Sequence, residues 1–395
     1  MERRGDEALR QYTAEFDKVD LERFEVTEAE FEQAATIVEP ALREAILLSK
    51  HNIEAFHRLQ IPRKCEYVNE NGFRCWQEAR GLDRVGLYIP GGSAPLFSTV
   101  LMLAIPAQLA GCREVVLCTP PGPDGKVNPA ILWCARLCGV SQVYKVGGVQ
   151  AIAAMTVGTE TICKVDKLFG PGNRFVTAAK QQALGCGVPI DMPAGPSEIM
   201  VVADESASPA FVASDLLSQA EHGQDSQVIL VTCVETLPQE VEVELERQLL
   251  ELPRKAVAEK ALAASICVVL HNKQECLDII NSYAPEHLLL SVKDYASWIP
   301  DIRHAGSVFL GNYSPESAGD YASGTNHTLP TNGYARVYSG VGVEAFMKRI
   351  SFQEITQQGL AYLGPAIEVM AEREGLIAHR NAVRKRMEAN GNELE

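Results

Sequence analysis

No uncharged apolar run in this chain reaches the ~18 residues that a membrane-crossing helix needs, so a membrane-spanning fold is not expected. The opening segment, 1–10, is charged and has no apolar centre, so it does not read as a signal peptide. The eleven cysteines include no C-x-x-C pair and follow no regular spacing. Most sit in apolar runs such as 115–118 and 231–233, and Cys134 and Cys138 stand one helical turn apart. They read as buried free thiols of a reducing cytoplasm, not as a disulfide framework.

Positive charge is also short: 36 Lys and Arg face 51 Asp and Glu, a formal net charge of −15. Such a surface argues against nucleic acid or an anionic membrane as partner, while a local basic pocket for phosphate stays open. Internal repeats and low-complexity stretches are missing. What is present is ordinary globular composition, 46% apolar and 22% charged over 395 residues. That is enough for two to three domains and excludes a mainly disordered, collagen-like or disulfide-miniprotein chain.

The first 80 or so residues read as helical and charged, with Phe31, Ala34, Ile37, Val38, Leu42, Ile46 and Leu47 at helical spacing across 28–57. From 85 onward short strands and helices alternate. Strands are expected at 85–90, 114–118, 140–146 and 165–169, with helices at 98–109, 128–137, 149–157 and 173–183. A second block follows, with strands at 198–202, 227–233, 266–270, 288–292 and 307–310. Its helices are expected at 210–219, 273–283 and, as one long polar helix, 239–263. After 342 the chain reads as helical again, at 352–358, 363–372 and 379–387. The alternation predicts an α/β protein with two doubly wound parallel-sheet units, a helical head and a helical tail.

Of eight histidines, His51, His57, His271 and His304 read as ordinary surface groups. The other four keep unusual company. Gln219 and His222 are i,i+3 at a helix end, which suits either a solvated cap or half of a metal site. Glu286 and His287 are adjacent at a strand edge. In a strand they would point to opposite faces; in a turn both could line a cleft and share acid–base work. A loop of small residues, 317–327, carries Asp320 and His327, and Glu374 lies five residues before His379. Gln219, His222, Asp320 and His379 would make a mixed nitrogen and oxygen set suited to Zn²⁺ or another divalent ion, though spacing alone does not bring them together. The glycine turns Gly91-Gly92-Ser93, Gly147-Gly148 and Gly170-Pro171-Gly172-Asn173 border strands and helices, yet none is a complete dinucleotide fingerprint.

Read together, these segments resemble the histidinol dehydrogenase family, zinc- and NAD-dependent enzymes that end histidine biosynthesis. The pieces that carry the resemblance are Gly86-Leu87-Tyr88-Ile89-Pro90-Gly91-Gly92, Gly170-Pro171-Gly172-Asn173, Asp191-Met192-Pro193-Ala194-Gly195-Pro196-Ser197-Glu198, 219–225, 284–288 and 375–381. The resemblance implies two incomplete Rossmann-like units related to the aldehyde dehydrogenase architecture. One would comprise 1–87 plus 197–340 and carry the metal, and 88–196 would be NAD-associated. The tail, 341–395, would be exchanged within a homodimer that shares its active sites. It also implies four-electron oxidation of L-histidinol to L-histidine with two NAD⁺. On this sequence the family's zinc ligands fall on Gln219, His222, Asp320 and His379, and its acid–base pair on Glu286 and His287. Substrate contacts fall on Ser197, His327 and Glu374 besides Gln219, His222, Glu286, Asp320 and His379, and NAD contacts on Tyr88, Gln150 and Asn173. His287 would take the alcohol proton, with activity rising as the pH passes through its titration, and Glu286 would activate water. Relatives carry a longer arm before the segment matching 3–9, expected to contribute to dimer packing. Three other readings stand beside this one: a related dehydrogenase for another small polar alcohol, a thiol-dependent aldehyde dehydrogenase, and a metal-dependent binding protein.

Overall fold

The computed structural model describes residues 1–91, 95–193 and 195–392. Gly92 and Ser93 of the first glycine turn, and Ala194 of the 191–198 motif, lie outside the described residues. The strands are β1 (Cys65–Asn69), β2 (Phe73–Gly81), β3 (Arg84–Tyr88), β4 (Glu114–Thr119), β5 (Gln142–Lys145), β6 (Lys167–Phe169), β7 (Glu198–Ala203), β8 (Gln227–Thr232), β9 (Ile266–Val269), β10 (His287–Ser291), β11 (Ser307–Leu310) and β12 (Met347–Ile355).

The chain divides into two units, one of residues 1–60 and 82–346, the other of 61–81 and 347–395. In the first unit two all-parallel sheets run in the orders β5-β4-β3-β6 and β11-β10-β7-β8-β9. In each, the first strand of the sheet has its successor on one side and its fourth strand on the other, the strand order of a truncated doubly wound sheet. Parallel strands are covered on both faces and so read as continuous apolar runs; β4 and β7 are buried almost throughout. Along β7, Ile199 and Val201 face one core with Leu216, Leu217 and Leu289, while Met200 and Val202 face the other with Ile280, Leu288 and Leu290.

Helix starts follow local chemistry. Asn173 accepts from the Phe175 and Val176 amides ahead of the helix Arg174–Gly185, and Asn272 caps Lys273–Tyr283 in the same way. Thr27 and Glu30 form a reciprocal capping box at the helix Glu28–Ile37.

The second unit departs from the sequence expectation. Residues 65–81 are not helical but form an antiparallel hairpin, and β12 lies where a helix at 352–358 was expected, pairing with β2 from Met347 opposite Gly81 to Ile355 opposite Phe73. These strands escape recognition because β1 buries neither face, so apolar and polar residues do not alternate. The helices Gln357–Arg373 and Ile377–Asn392 complete this unit. In the first unit the expected helix at 239–263 is two, Leu237–Leu249 and Lys255–Ala263, separated at Pro253, whose missing N–H and ring do not fit a helix interior. His57 is not a surface group. It is fully buried on the face of the helix Pro40–Arg58 that also buries Ile46, Ser49 and Ile53. The cysteines also differ from expectation: Cys118, Cys134, Cys138 and Cys276 are buried, but Cys65, Cys75, Cys163, Cys186, Cys233 and Cys267 are exposed.

Candidate active site

β7 and β10 pair in register with His287 beside Ile199, so the chain entering these two neighbouring strands brings Glu198, Glu286 and His287 together. All three are buried. The Glu286 carboxylate accepts from the Glu198 amide at 2.8 Å, and the Glu198 carboxylate accepts from the Asn332 amide at 2.8 Å. Around the His287 ring, Nδ1 lies 3.2 Å from the Glu198 carbonyl oxygen, 3.4 Å from Glu316 Oε1 and 3.6 Å from Glu286 Oε2, while Nε2 lies 3.7 Å from Asp320 Oδ1. Burial works against a charged ring, but Glu286, Asp320 and Glu316 outweigh it and hold His287 well above the ordinary histidine range. Burial pushes the Glu198 carboxyl up to about 7, with the Asn332 amide opposing and Glu286 adding to the rise.

Residues 317–327 are not wholly a loop: Asp320 sits on the short helix Glu316–Tyr321, one turn after Glu316, so the two carboxylates share a face. Burial raises Glu316, with His287 acting against it. Asp320 is held low: burial raises it, but His287, His327 and His222 prevail. His327 is engaged at both ring nitrogens, with Nδ1 2.9 Å from the Asp320 carbonyl oxygen and Nε2 3.1 Å from the Thr99 hydroxyl.

Asp215, one turn of helix before Ser218, is pushed up to about 7 by burial, with the Glu316 backbone N–H opposing. A carboxyl raised by folding keeps a proton that the unfolded chain releases near 3.8. Stability is therefore lost as pH climbs from about 4 to about 7. An Asp215→Asn variant is expected to melt higher than the parent by a margin that grows over that window and then levels off, reaching at most roughly 4 kcal/mol. Thermal melts across pH check it; a margin independent of pH contradicts it.

Gln219 closes the helix Pro209–Ala220 and His222 follows it, with the His222 amide donating to the Gln219 carbonyl at 3.2 Å. The Gln219 side chain is fully buried, yet neither its oxygen nor its nitrogen has a hydrogen-bond partner among the described residues. A buried amide left unpaired is costly, and its oxygen, with the Asp320 carboxylate and the His222 ring, makes a donor set that fits a divalent first-row metal. Among the described residues no group of three or more His, Cys, Asp and Glu side chains is arranged to hold a metal ion. Within the first unit the expected set contributes only one imidazole and one carboxylate to such a group. Glu374 and His379 belong to the second unit, where both are exposed, Glu374 capping the end of one helix and His379 in the first turn of the next. Ser197 is partly exposed just before β7.

The three expected cofactor contacts do meet. Tyr88, Gln150 and Asn173 line one cavity of about 570 Å³ together with Phe16, Asp17, Pro120 and Phe175. It opens beyond the C-terminal ends of the strands, where the strand order reverses between β3 and β6, the place at which doubly wound sheets bind ligands. The Gly148 amide donates to the Tyr88 hydroxyl at 3.0 Å, and Gln150 donates to Asp17 at 3.0 Å. Gly170 passes so close to Tyr88 that any Cβ would strike its carbonyl oxygen. Its turn is clamped by a buried ion pair: Asp191 accepts from the Gly170 amide at 2.8 Å and Lys180 donates to the Gly170 carbonyl at 2.7 Å.

Sequence reasoning assigned no role to Asp17, Thr99, Glu198 or Glu316. Glu198 closes a quoted motif and Glu316 directly precedes the small-residue loop, so both had a signal in their neighbours; Asp17 and Thr99 had none.

Comparison with known proteins agrees along nearly the whole chain. The family profile described as Histidinol dehydrogenase matches residues 1–387. The chain is 59% identical over 384 residues to a histidinol dehydrogenase of Bacteroides fragilis, covering 97% of this chain and 90% of that one. The crystal structure of histidinol dehydrogenase from Elizabethkingia anophelis is 55% identical and superposes with a TM-score of 0.95, covering 98% of this chain and 89% of that chain. An acetylating aldehyde dehydrogenase from Geobacillus thermoglucosidasius, at 16% identity and a TM-score of 0.53 over 89% of this chain and 95% of that one, shares the fold alone.

Proposed function

Because the chain belongs to the histidinol dehydrogenase family, we propose that it oxidises L-histidinol to L-histidine, the last step of histidine biosynthesis, with two NAD⁺ and an aldehyde kept on the protein. The observation that carries this reading is the buried Glu286–His287 pair within reach of Asp320, in a unit that also buries an unpaired Gln219 amide.

Gln219, His222, Asp320 and His379 would hold zinc, which would supply a positive centre that orients the substrate. Tyr88, Gln150 and Asn173 would hold NAD⁺, which would supply the acceptor for both hydrides. Ser197, His327 and Glu374 would orient the substrate; contact through His327 Nε2 would replace the Thr99 hydroxyl. His287 removes the alcohol proton at Nε2, the ring nitrogen that has no hydrogen-bond partner among the described residues. Glu286 then takes a proton from water so that the aldehyde becomes a hydrate, from which the second oxidation gives the carboxylate.

Exposure of Glu374 and His379 in the single chain supports a homodimer in which the tail, 341–395, is exchanged and completes the partner's site. The remaining chain would divide into a metal-carrying domain, 1–87 plus 197–340, and an NAD-associated domain, 88–196. No helix among the described residues is long and apolar enough to cross a membrane, and we place the enzyme in the cytoplasm.

The test is NADH absorbance with L-histidinol and NAD⁺. Two NADH per histidinol, lost on chelation and restored by Zn²⁺, is the expected result. No NADH from the zinc-loaded protein overturns the reading.

A further inference from the structure

We propose that Glu316 is the positioning residue for His287: its buried carboxylate fixes the ring with the proton on Nδ1 and the lone pair of Nε2 turned to the reacting hydroxyl. This rests on the reading of His287 as the base.

Three groups surround Nδ1, namely the Glu198 carbonyl, Glu316 Oε1 and Glu286 Oε2, and all are acceptors. Nε2 faces a single carboxylate, Asp320 at 3.7 Å, which the proposed function commits to the metal, so in the neutral ring the hydrogen belongs on Nδ1 and Nε2 is the base. The three are not equivalent. The carbonyl is neutral, and Glu286 Oε2 is already bound to the Glu198 amide at 2.8 Å. Glu316 Oε1 has no other partner among the described residues.

Glu316 is also held to this task. The Ser218 hydroxyl donates to its second oxygen at 2.6 Å, and the side chain is 1% exposed. A carboxylate so deeply buried is costly unless it meets a charge. That charge arises when the substrate O–H breaks and the proton bonds to Nε2: the imidazolium then presents Nδ1–H to Glu316. Because Glu316 and Asp320 stand one turn apart on the same short helix, a single element sets both edges of the ring.

The test is Glu316→Gln, which keeps shape and replaces the carboxyl by an amide. kcat is expected to fall about 10–100-fold, as for other groups that orient a catalytic or ligating histidine, with KM for L-histidinol within about twofold. On the zinc-loaded protein without NAD⁺, at a pH high enough to leave the parent's ring neutral, the ¹⁵N signals of the His287 ring are expected to shift from the Nδ1–H pattern. A merely structural role would not move them. Ser218→Ala, which removes only the anchoring hydroxyl, is expected to lower kcat roughly fivefold, the worth of one ordinary hydrogen bond, and serves if the Gln variant does not fold. Unchanged kcat in either variant, or a kcat loss with unaltered His287 signals, overturns the proposal. If the parent itself oxidises no histidinol, the functional reading fails, while the nitrogen spectra still decide what Glu316 does to the ring.

Discussion

An His287→Asn variant is expected to lose about 10²–10⁴-fold in kcat, the usual worth of a positioned general base, with KM for L-histidinol little changed. Asn can still donate towards the Glu198 carbonyl that the ring faces at 3.2 Å, so the strand start is not left with a hole. What it lacks is a basic nitrogen where Nε2 stood. The buried setting leaves little room for rescue, because the nearest other groups are carboxylates already committed elsewhere: Glu286 to the Glu198 amide and Glu316 to Ser218. Steady-state kinetics on protein of unaltered melting point measure this. Full activity in the variant would remove His287 from the chemistry.

The second large effect has opposite signs in two states. Replacing Gln219 by Met keeps length and volume but removes an amide whose two polar atoms are buried without partners among the described residues. Leaving such a group unpaired costs about 1–3 kcal/mol. The metal-free variant should therefore melt higher than the metal-free parent, by several degrees at ~2–4 °C per kcal/mol for a chain of this size or somewhat smaller. Zinc, which stabilises whatever state it binds, should raise the parent's melting point and leave the variant's nearly unmoved. Melts of both proteins with and without Zn²⁺ check it. A variant that melts lower when metal-free, or that keeps the full zinc shift, contradicts the assignment of Gln219.

The parallel sheets were legible because their strands are apolar on both faces and helices such as Arg174–Gly185 and Lys273–Tyr283 start at an Asn cap. Leu288, Leu289 and Leu290 announce β10 without any periodicity. The hairpin of β1 and β2 was not legible, since Cys65, Glu66, Tyr67 and Val68 are all exposed and give no alternation to read. His57 was misjudged for a related reason: its sequence neighbours Phe56 and Arg58 face outward, whereas its own side chain continues the Ile46, Ser49, Ile53 stripe.

At the site, Tyr88, Gln150 and Asn173 lie in separate segments that the sheet order gathers at one cavity, and only the family resemblance picked them out in the sequence. Glu316 could not be named in that way. Its meaning depends on a distance to His287 across the fold, and a residue's partner 29 positions away leaves no mark on local composition.

Pairing β2 with β12 has a consequence for biosynthesis on the ribosome. Roughly 270 residues must be made between the two, and at ~5–20 residues per second that is on the order of 15–50 s. Throughout that interval the nascent hairpin carries an uncovered edge, the kind of template on which stray strands can add. Arg74, Glu78 and Arg80 lie along that waiting strand, and charges so placed discourage neighbouring nascent chains from docking before the proper one arrives.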